Sequence, residues 1–218
     1  MRNILSIALA AFATSAFAAP APDKRQQGSA IGYASLNGGT KGGAGGTTTT
    51  VSTYAQFTAA AKISGPKVIY ISGTISGSEK ARATNDTSII GLNSNSGWTG
   101  FGLYIRRVKN VIVQNVKVTK SPADAGDAIG VDDSTNVWVD HVDLSSALVS
   151  DKDFYDGLFD VSHGSDYINL SNSYLHDHWK ASLVGHSDNN ADEDRGHLTV
   201  TYANNIWVRP KTLPHVVW

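Results

Sequence analysis

The chain has 218 residues, 18 Lys and Arg against 19 Asp and Glu, and no cysteine. A disulfide scaffold is excluded, so stability must come from burial and hydrogen bonding, and the length suits one domain with its own core. Residues 26–120 hold ten Lys/Arg and two Asp/Glu, whereas residues 121–218 hold five and sixteen; an acidic second half argues against nucleic acid as a partner, because phosphates need basic stripes.

The first residues read as a secretion signal. Arg2 is the positive start, Ile4 to Ala13 the apolar run, and Ala16-Phe17-Ala18 a small-x-small cleavage site. The run is too short to span a bilayer. The expected division is a signal peptide at 1–18, a pro-segment at 19–25 ending in Lys24-Arg25, and the folded domain at 26–218, acting outside the cell with no membrane partner. Asn85-Asp86-Thr87 and Asn169-Leu170-Ser171 are glycosylation sequons.

Residues 38–50 are rich in Gly and Thr and predict a loop. Residues 51–62 predict a short helix, with Ser52-Thr53 as its cap. Lys67 to Ile71 predicts a strand. Helix signals then disappear.

Four later segments share one pattern: 111–118, 137–144, 168–175 and 198–205. Each opens with apolar residues at alternate positions, continues with a polar pair, and resumes alternation one residue out of step. A one-residue slip turns a strand inside out, unless the chain bends there. Each unit is therefore two short strands joined by a corner, with both halves facing one interior. Asn115 and Asn172 sit at the corner and tolerate a left-handed backbone; His141 and Tyr202 fill it in the other copies. The units start 26, 31 and 30 residues apart, a solenoid period with no helix between for a βαβ crossover. The predicted fold is all-β, a parallel β-helix. An antiparallel sandwich also accommodates many short strands, but leaves the slip unexplained.

Stacked coils turn sequence offsets into neighbours. Asp127 lies ten residues before Val137, and Asp156 and Asp160 lie twelve and eight before Ile168. All three fall on one arc of successive coils, about 4.8 Å apart per coil. Such carboxylates repel, and a hard cation such as Ca²⁺ with oxygen ligands relieves that; zinc is disfavoured without cysteine or a tight His pair. Ordinary turn and surface acids are the other reading of the trio. His176 and His178 read as hydrogen-bonded structural histidines.

The segment Asp127-Ala-Ile-Gly-Val-Asp-Asp-Ser-Thr-Asn-Val-Trp-Val-Asp-His141 resembles the central signature of the pectate lyase superfamily. Asp156-Gly-Leu-Phe-Asp160 and His176-Asp-His-Trp-Lys180 follow in the same order. The resemblance implies a right-handed, single-stranded parallel β-helix from a secreted fungal enzyme. It implies that Asp127, Asp156 and Asp160 bind Ca²⁺, and that Lys180 is the catalytic and substrate-binding lysine. The implied reaction is β-elimination in polygalacturonate: a base removes the C5 proton and the C4–O bond breaks. The family's base is an arginine in an Arg-x-Pro-x-x-Arg segment. Here Arg209-Pro-Lys211 is followed by no second arginine, so the expectation is a chain with incomplete C-terminal coils. Two alternatives stand beside a lyase. One is a non-catalytic, calcium-dependent pectate-binding β-helix. The other is a polygalacturonase-like hydrolase using paired acids such as Asp132-Asp133 with His163.

Overall fold

Most strands carry alternating apolar residues, and many end where the next residue takes a positive φ, as at Asn115, Asp133, His141 and Asn172. The computed structural model describes residues 28–208; the expected signal peptide and pro-segment, and Arg209 and Lys211, lie outside them. In chain order the elements are β1 (Thr47–Val51), α1 (Tyr54–Ala61), β2 (Lys67–Ile71), β3 (Thr74–Ser76), β4 (Ala81–Arg82), β5 (Thr87–Gly91), β6 (Gly97–Thr99) and β7 (Leu103–Arg106). Then come β8 (Lys109–Gln114), β9 (Lys117–Thr119), β10 (Ile129–Asp132), β11 (Thr135–Asp140), β12 (Asp143–Ser145), β13 (Phe159–Ser162), β14 (Asp166–Ser171), β15 (Tyr174–His176), β16 (Ser182–Val184), α2 (Ala191–Asp194), β17 (Val200–Ala203) and β18 (Ile206–Val208).

Every strand pairs in parallel with its counterpart one coil away, which builds three sheets: β1-β2-β5-β8-β11-β14-β17, β16-β13-β10-β7-β4 and β18-β15-β12-β9-β6-β3. This is a parallel β-helix with three strands per coil. The predicted corners are present, with φ of 55° at Asn115, 50° at His141 and 51° at Asn172. Inside, Ile69, Ile89, Val113, Val139 and Leu170 stack in one column, and Ile75, Trp98, Val118, Leu144 and Leu175 in another. All of them are buried. Such same-facing apolar ladders supply the core that a cysteine-free chain needs.

Several expectations are corrected. The fourth unit starts at Val200, which pairs with Ile168, so its spacing is 32 residues and its corner is Asn204 (φ 57°), not Tyr202. Read from Leu198, that unit was two residues out of register. The second half of the expected 38–50 loop is strand β1: four threonines in a row are β-branched and suit an edge strand. The helix is shorter than expected, Tyr54–Ala61, with Thr53 Oγ1 accepting from the Gln56 N–H at 3.3 Å. Its Phe57, Ala60 and Ala61 close the first coils over Trp98 and Phe101. The third strand of each coil, foreseen only as an irregular loop, carries the site.

Of the two sequons, Asn85 is exposed. Asn169 is fully buried in β14 and donates to the Ile31 carbonyl at 3.1 Å, so it offers no surface to a glycan in the folded protein.

Candidate functional site

The five-stranded sheet alternates in and out. Leu103 and Ile105 of β7, Ile129 and Val131 of β10, and Phe159 and Val161 of β13 face the core. The residues between them face outward, and the register aligns Arg82, Tyr104, Gly130, Asp160 and Leu183 in one row across five strands. The loops feeding these strands stack too: Ala128 N–H donates to Gly157 O at 2.9 Å and Leu158 N–H to Lys180 O at 3.2 Å. Asp127, Gly157 and Lys180 thus hold the same station, two residues before their strands. A Cβ at Gly130 would lie 2.8 Å from Asp127 Oδ2, and one at Gly157 would lie 2.4 Å from Asp160 Oδ1. The missing side chains leave the room in which the two carboxylates lie.

Asp127 and Asp160 lie side by side, and each bears on the other's ionisation. Burial, then the nearby Asp156 charge, pushes the Asp127 carboxyl up to about 6, against the Gly157 N–H, Lys80 and Asp160. Burial and the charges of Asp127 and Asp156 hold Asp160 well above the usual carboxylate range, although the Leu183 N–H donates to it at 3.0 Å. Asp127 Oδ1 is buried with no hydrogen-bond partner. A buried carboxylate oxygen without a partner calls for a bound water or a cation to satisfy it.

Asp156 stands to one side. Its Oδ1 lies 3.3 Å from Lys180 Nζ, which is also 3.4 Å from Asp153 Oδ1. Burial opposes the lysine's charge, but the two acids outweigh it and raise its pKa, so Lys180 is a held cation. His178 Nε2 donates to the Asp156 carbonyl. Burial pushes that imidazole down to about 4, so it is neutral and fixes the Asp156 backbone. Among the described residues no three His, Asp or Glu side chains converge closely enough to hold a metal ion as they stand. Two of the three expected ligands are together, and the third is turned to the lysine.

The four residues singled out in the sequence thus lie on one face, with one correction. Asp156 and Asp160, four residues apart and so expected on one face of a strand, do not share one: Asp156 belongs to the loop before β13. The sequence reading missed Asp153, Gly130 and Gly157, whereas His178 is hydrogen-bonded as expected. The apolar-x-apolar repeat Leu103-Tyr-Ile105, Ile129-Gly-Val131 and Phe159-Asp-Val161 was the available signal for the strands that place them. The paired acids of the hydrolase alternative are otherwise engaged. Asp132 accepts from Tyr104 OH at 3.0 Å and pairs with Arg106 at 3.0 Å, Asp133 pairs with Arg107 at 3.2 Å, and His163 contacts Glu193 at 2.7 Å. His176 is structural as expected, held between Asp143 at 2.9 Å and Asp177 at 2.8 Å.

A family model described as pectate lyase matches residues 8–213. The chain is 57% identical over 202 residues to pectate lyase plyB of Emericella nidulans, covering 88% of this chain and 62% of that protein. It is 56% identical over 179 residues to pectate lyase A of Aspergillus niger, covering 82% and 55%. Among solved structures, pectate lyase Bsp165PelA from Bacillus sp. N165, in complex with trigalacturonate, superposes with a TM-score of 0.71 at 34% identity, covering 81% of this chain and 62% of that one. The chain therefore spans less than two thirds of the length of each of these relatives. With a family model over residues 8–213 and a relative 57% identical over 202 residues, this chain belongs to the pectate lyase family.

Proposed function

We propose that the chain acts outside the cell as a calcium-dependent pectate lyase, cleaving polygalacturonate by β-elimination. One observation carries the reading: the Asp127–Asp160 pair, with a buried oxygen that no group among the described residues satisfies, lies beside Asp156, which holds the cation Lys180. The donor set is all oxygen, which suits a hard cation. Asp127, Asp156 and Asp160 would hold Ca²⁺. When bound, Ca²⁺ supplies positive charge that neutralises a uronate carboxylate and makes the neighbouring C5 proton more acidic. The neighbour solved with trigalacturonate fits a uronate ligand for this cleft.

Lys180 contributes to the same end. Its raised pKa makes it a poor base and a good counter-ion, so its part is to bind the substrate carboxylate and stabilise charge that develops beside C5. Elimination then moves the C5 proton to a base, forms the C4–C5 double bond and expels the C4 oxygen with its sugar. The resemblance assigns the base to an arginine in an Arg-x-Pro-x-x-Arg segment, which Arg209-Pro-Lys211 does not reproduce. The secretion signal in residues 1–18 and the exposed Asn85 sequon support an extracellular, glycosylated protein.

The test follows the ultraviolet absorbance of unsaturated oligogalacturonides with calcium and with a chelator. A calcium-dependent rise is expected. Calcium-dependent retention on polygalacturonate without absorbance would convert the reading to a binding module, and saturated reducing ends would convert it to a hydrolase.

A further inference from the structure

The outer face of the seven-stranded sheet, a different sheet from that of the acid pair, holds a cavity of about 410 Å³. Gln114, Asp140 and Ser171 line it and stand in one row across β8, β11 and β14, paired in register. The corner residues Asn115, His141 and Asn172 continue the lining, and Gly28, on the segment before β1, completes it. Asp140 is buried. Among the described residues no Lys or Arg lines the cavity or pairs with that carboxylate, and its only charged partner is His141.

Asp140 orders the groups around it. Burial alone would raise its carboxyl, but its hydrogen bonds hold it below the usual range, so it is ionised and only accepts. Every group that reaches it must therefore turn a donor toward it. Gln114 donates Nε2–H at 3.0 Å, Ser171 its hydroxyl at 2.7 Å, Asn172 Nδ2–H at 2.9 Å and His141 Nδ1–H at 2.6 Å. The amide of Gln114 and a neutral His141 imidazole are then left with their acceptor ends, Oε1 and Nε2. Neither atom has a hydrogen-bond partner among the described residues. One buried negative charge, bare acceptors and no fixed cation are the complement of a small cation rich in N–H donors.

We propose that this cavity binds a primary ammonium group, held by His141 Nε2, Gln114 Oε1 and the charge of Asp140. The three donors of an ammonium match a site that offers acceptors alone. Two sources carry that group. One is a free amine. The other is this chain's own α-amino group after cleavage at Lys24-Arg25: Gln26 is two residues before Gly28, a span of about 7 Å at most. The site shares no residue with the acid pair, so it stands apart from the pectate reading.

The experiment titrates the full chain with methylammonium chloride in a calorimeter at pH 7 and constant ionic strength. Tetramethylammonium has the same charge without N–H donors, and glycerol has donors without charge. Methylammonium should bind about tenfold more tightly than either, the scale of one hydrogen bond to a charged group. His141→Asn keeps a residue that tolerates the left-handed corner and should lose about tenfold, with its melting temperature reporting that it folds. Gln114→Lys places a tethered ammonium in the cavity, and should abolish methylammonium binding and raise the melting temperature. The chain beginning at Gln26 separates the two sources. Binding lost there and restored when its α-amino group is acetylated assigns the site to the chain's own terminus; binding kept there assigns it to a free amine. Methylammonium bound no better than tetramethylammonium or glycerol overturns the site, as does unchanged methylammonium affinity in both variants.

Discussion

Two carboxylates buried side by side destabilise a fold unless a proton or a cation sits between them. Asp127 and Asp160 are in that position, and burial with the neighbouring charges holds both carboxyls above the usual range. Asp127→Asn keeps a neutral partner for Asp160 and removes the repulsion. In chelator near pH 7 the variant should melt at or above the wild-type temperature. Calcium should raise the melting temperature of the wild type only. At a calcium concentration 100 times Kd the wild-type gain is about 2.7 kcal/mol, and calorimetry with and without calcium reads it. A calcium shift of equal size in the variant would remove Asp127 from the ligand set. Asp140, on the outer face of the seven-stranded sheet, is the opposite case. Burial alone would raise its pKa, but Ser171, His141 and Asn172 outweigh it and hold the carboxyl below the usual range. Their contacts are 2.7, 2.6 and 2.9 Å, and Gln114 donates at 3.0 Å. A folded pKa below the unfolded one means that the unfolded chain binds more protons in the interval between them. Stability from Asp140 is therefore complete above the unfolded value near 3.8, and is lost as pH falls through the folded value. Asp140→Asn should cost about 2 kcal/mol at pH 6 and progressively less as pH falls below 3.8, as urea midpoints across that range would show. None of this network was legible in the sequence, because its partners come from neighbouring coils at separations set by loop lengths.

Among elements, the corner is the feature that sequence and structure share most directly. A slip in alternation predicted a bend, and the bend falls on residues with φ near 50° at 115, 141, 172 and 204. Asn115 is the clean place to test this, since its side chain makes no hydrogen bond among the described residues. Asn115→Gly should change stability by less than about 0.5 kcal/mol, whereas Asn115→Val should cost about 2 kcal/mol, because a β-branched residue resists the left-handed backbone. Guanidinium midpoints decide it; a Val variant as stable as wild type would mean that the corner relaxes freely. The third strand was harder to see for a physical reason. Its strands have four residues or fewer, and the outward positions are occupied by Gly130, Asp160 and Tyr104, so function breaks the composition that marks a strand. The candidate acids were singled out by their offsets to the next strands and Lys180 by the family motif. Their contacts were not legible, because Asp156 lies in a loop and Asp160 in β13.

At the scale of the whole molecule, each coil touches only the coils beside it, so stability is a sum of coil terms and interfaces between neighbours. The two ends of the described region differ. At the first coils α1 covers the core, and Phe57 stacks on Trp98 with ring centroids 6.0 Å apart. In the last coil Ile206, Trp207 and Val208 are exposed. Disturbance in a late coil should therefore spread toward β18 more readily than toward β1. Ile168 joins Val137 and Val200 in register and is fully buried, so Ile168→Ala removes one rung of a ladder at a cost of about 2–5 kcal/mol. Hydrogen exchange should then show amides of β13 to β18 losing protection while those of β2 and β5 keep theirs. The acid pair lies on the boundary, with Asp127 before β10 and Asp160 in β13, so calcium should restore protection to β13 in the variant by tying the two coils together. Uniform loss through all coils would show that the solenoid opens as one cooperative unit, and that the site does not depend on local coil stability.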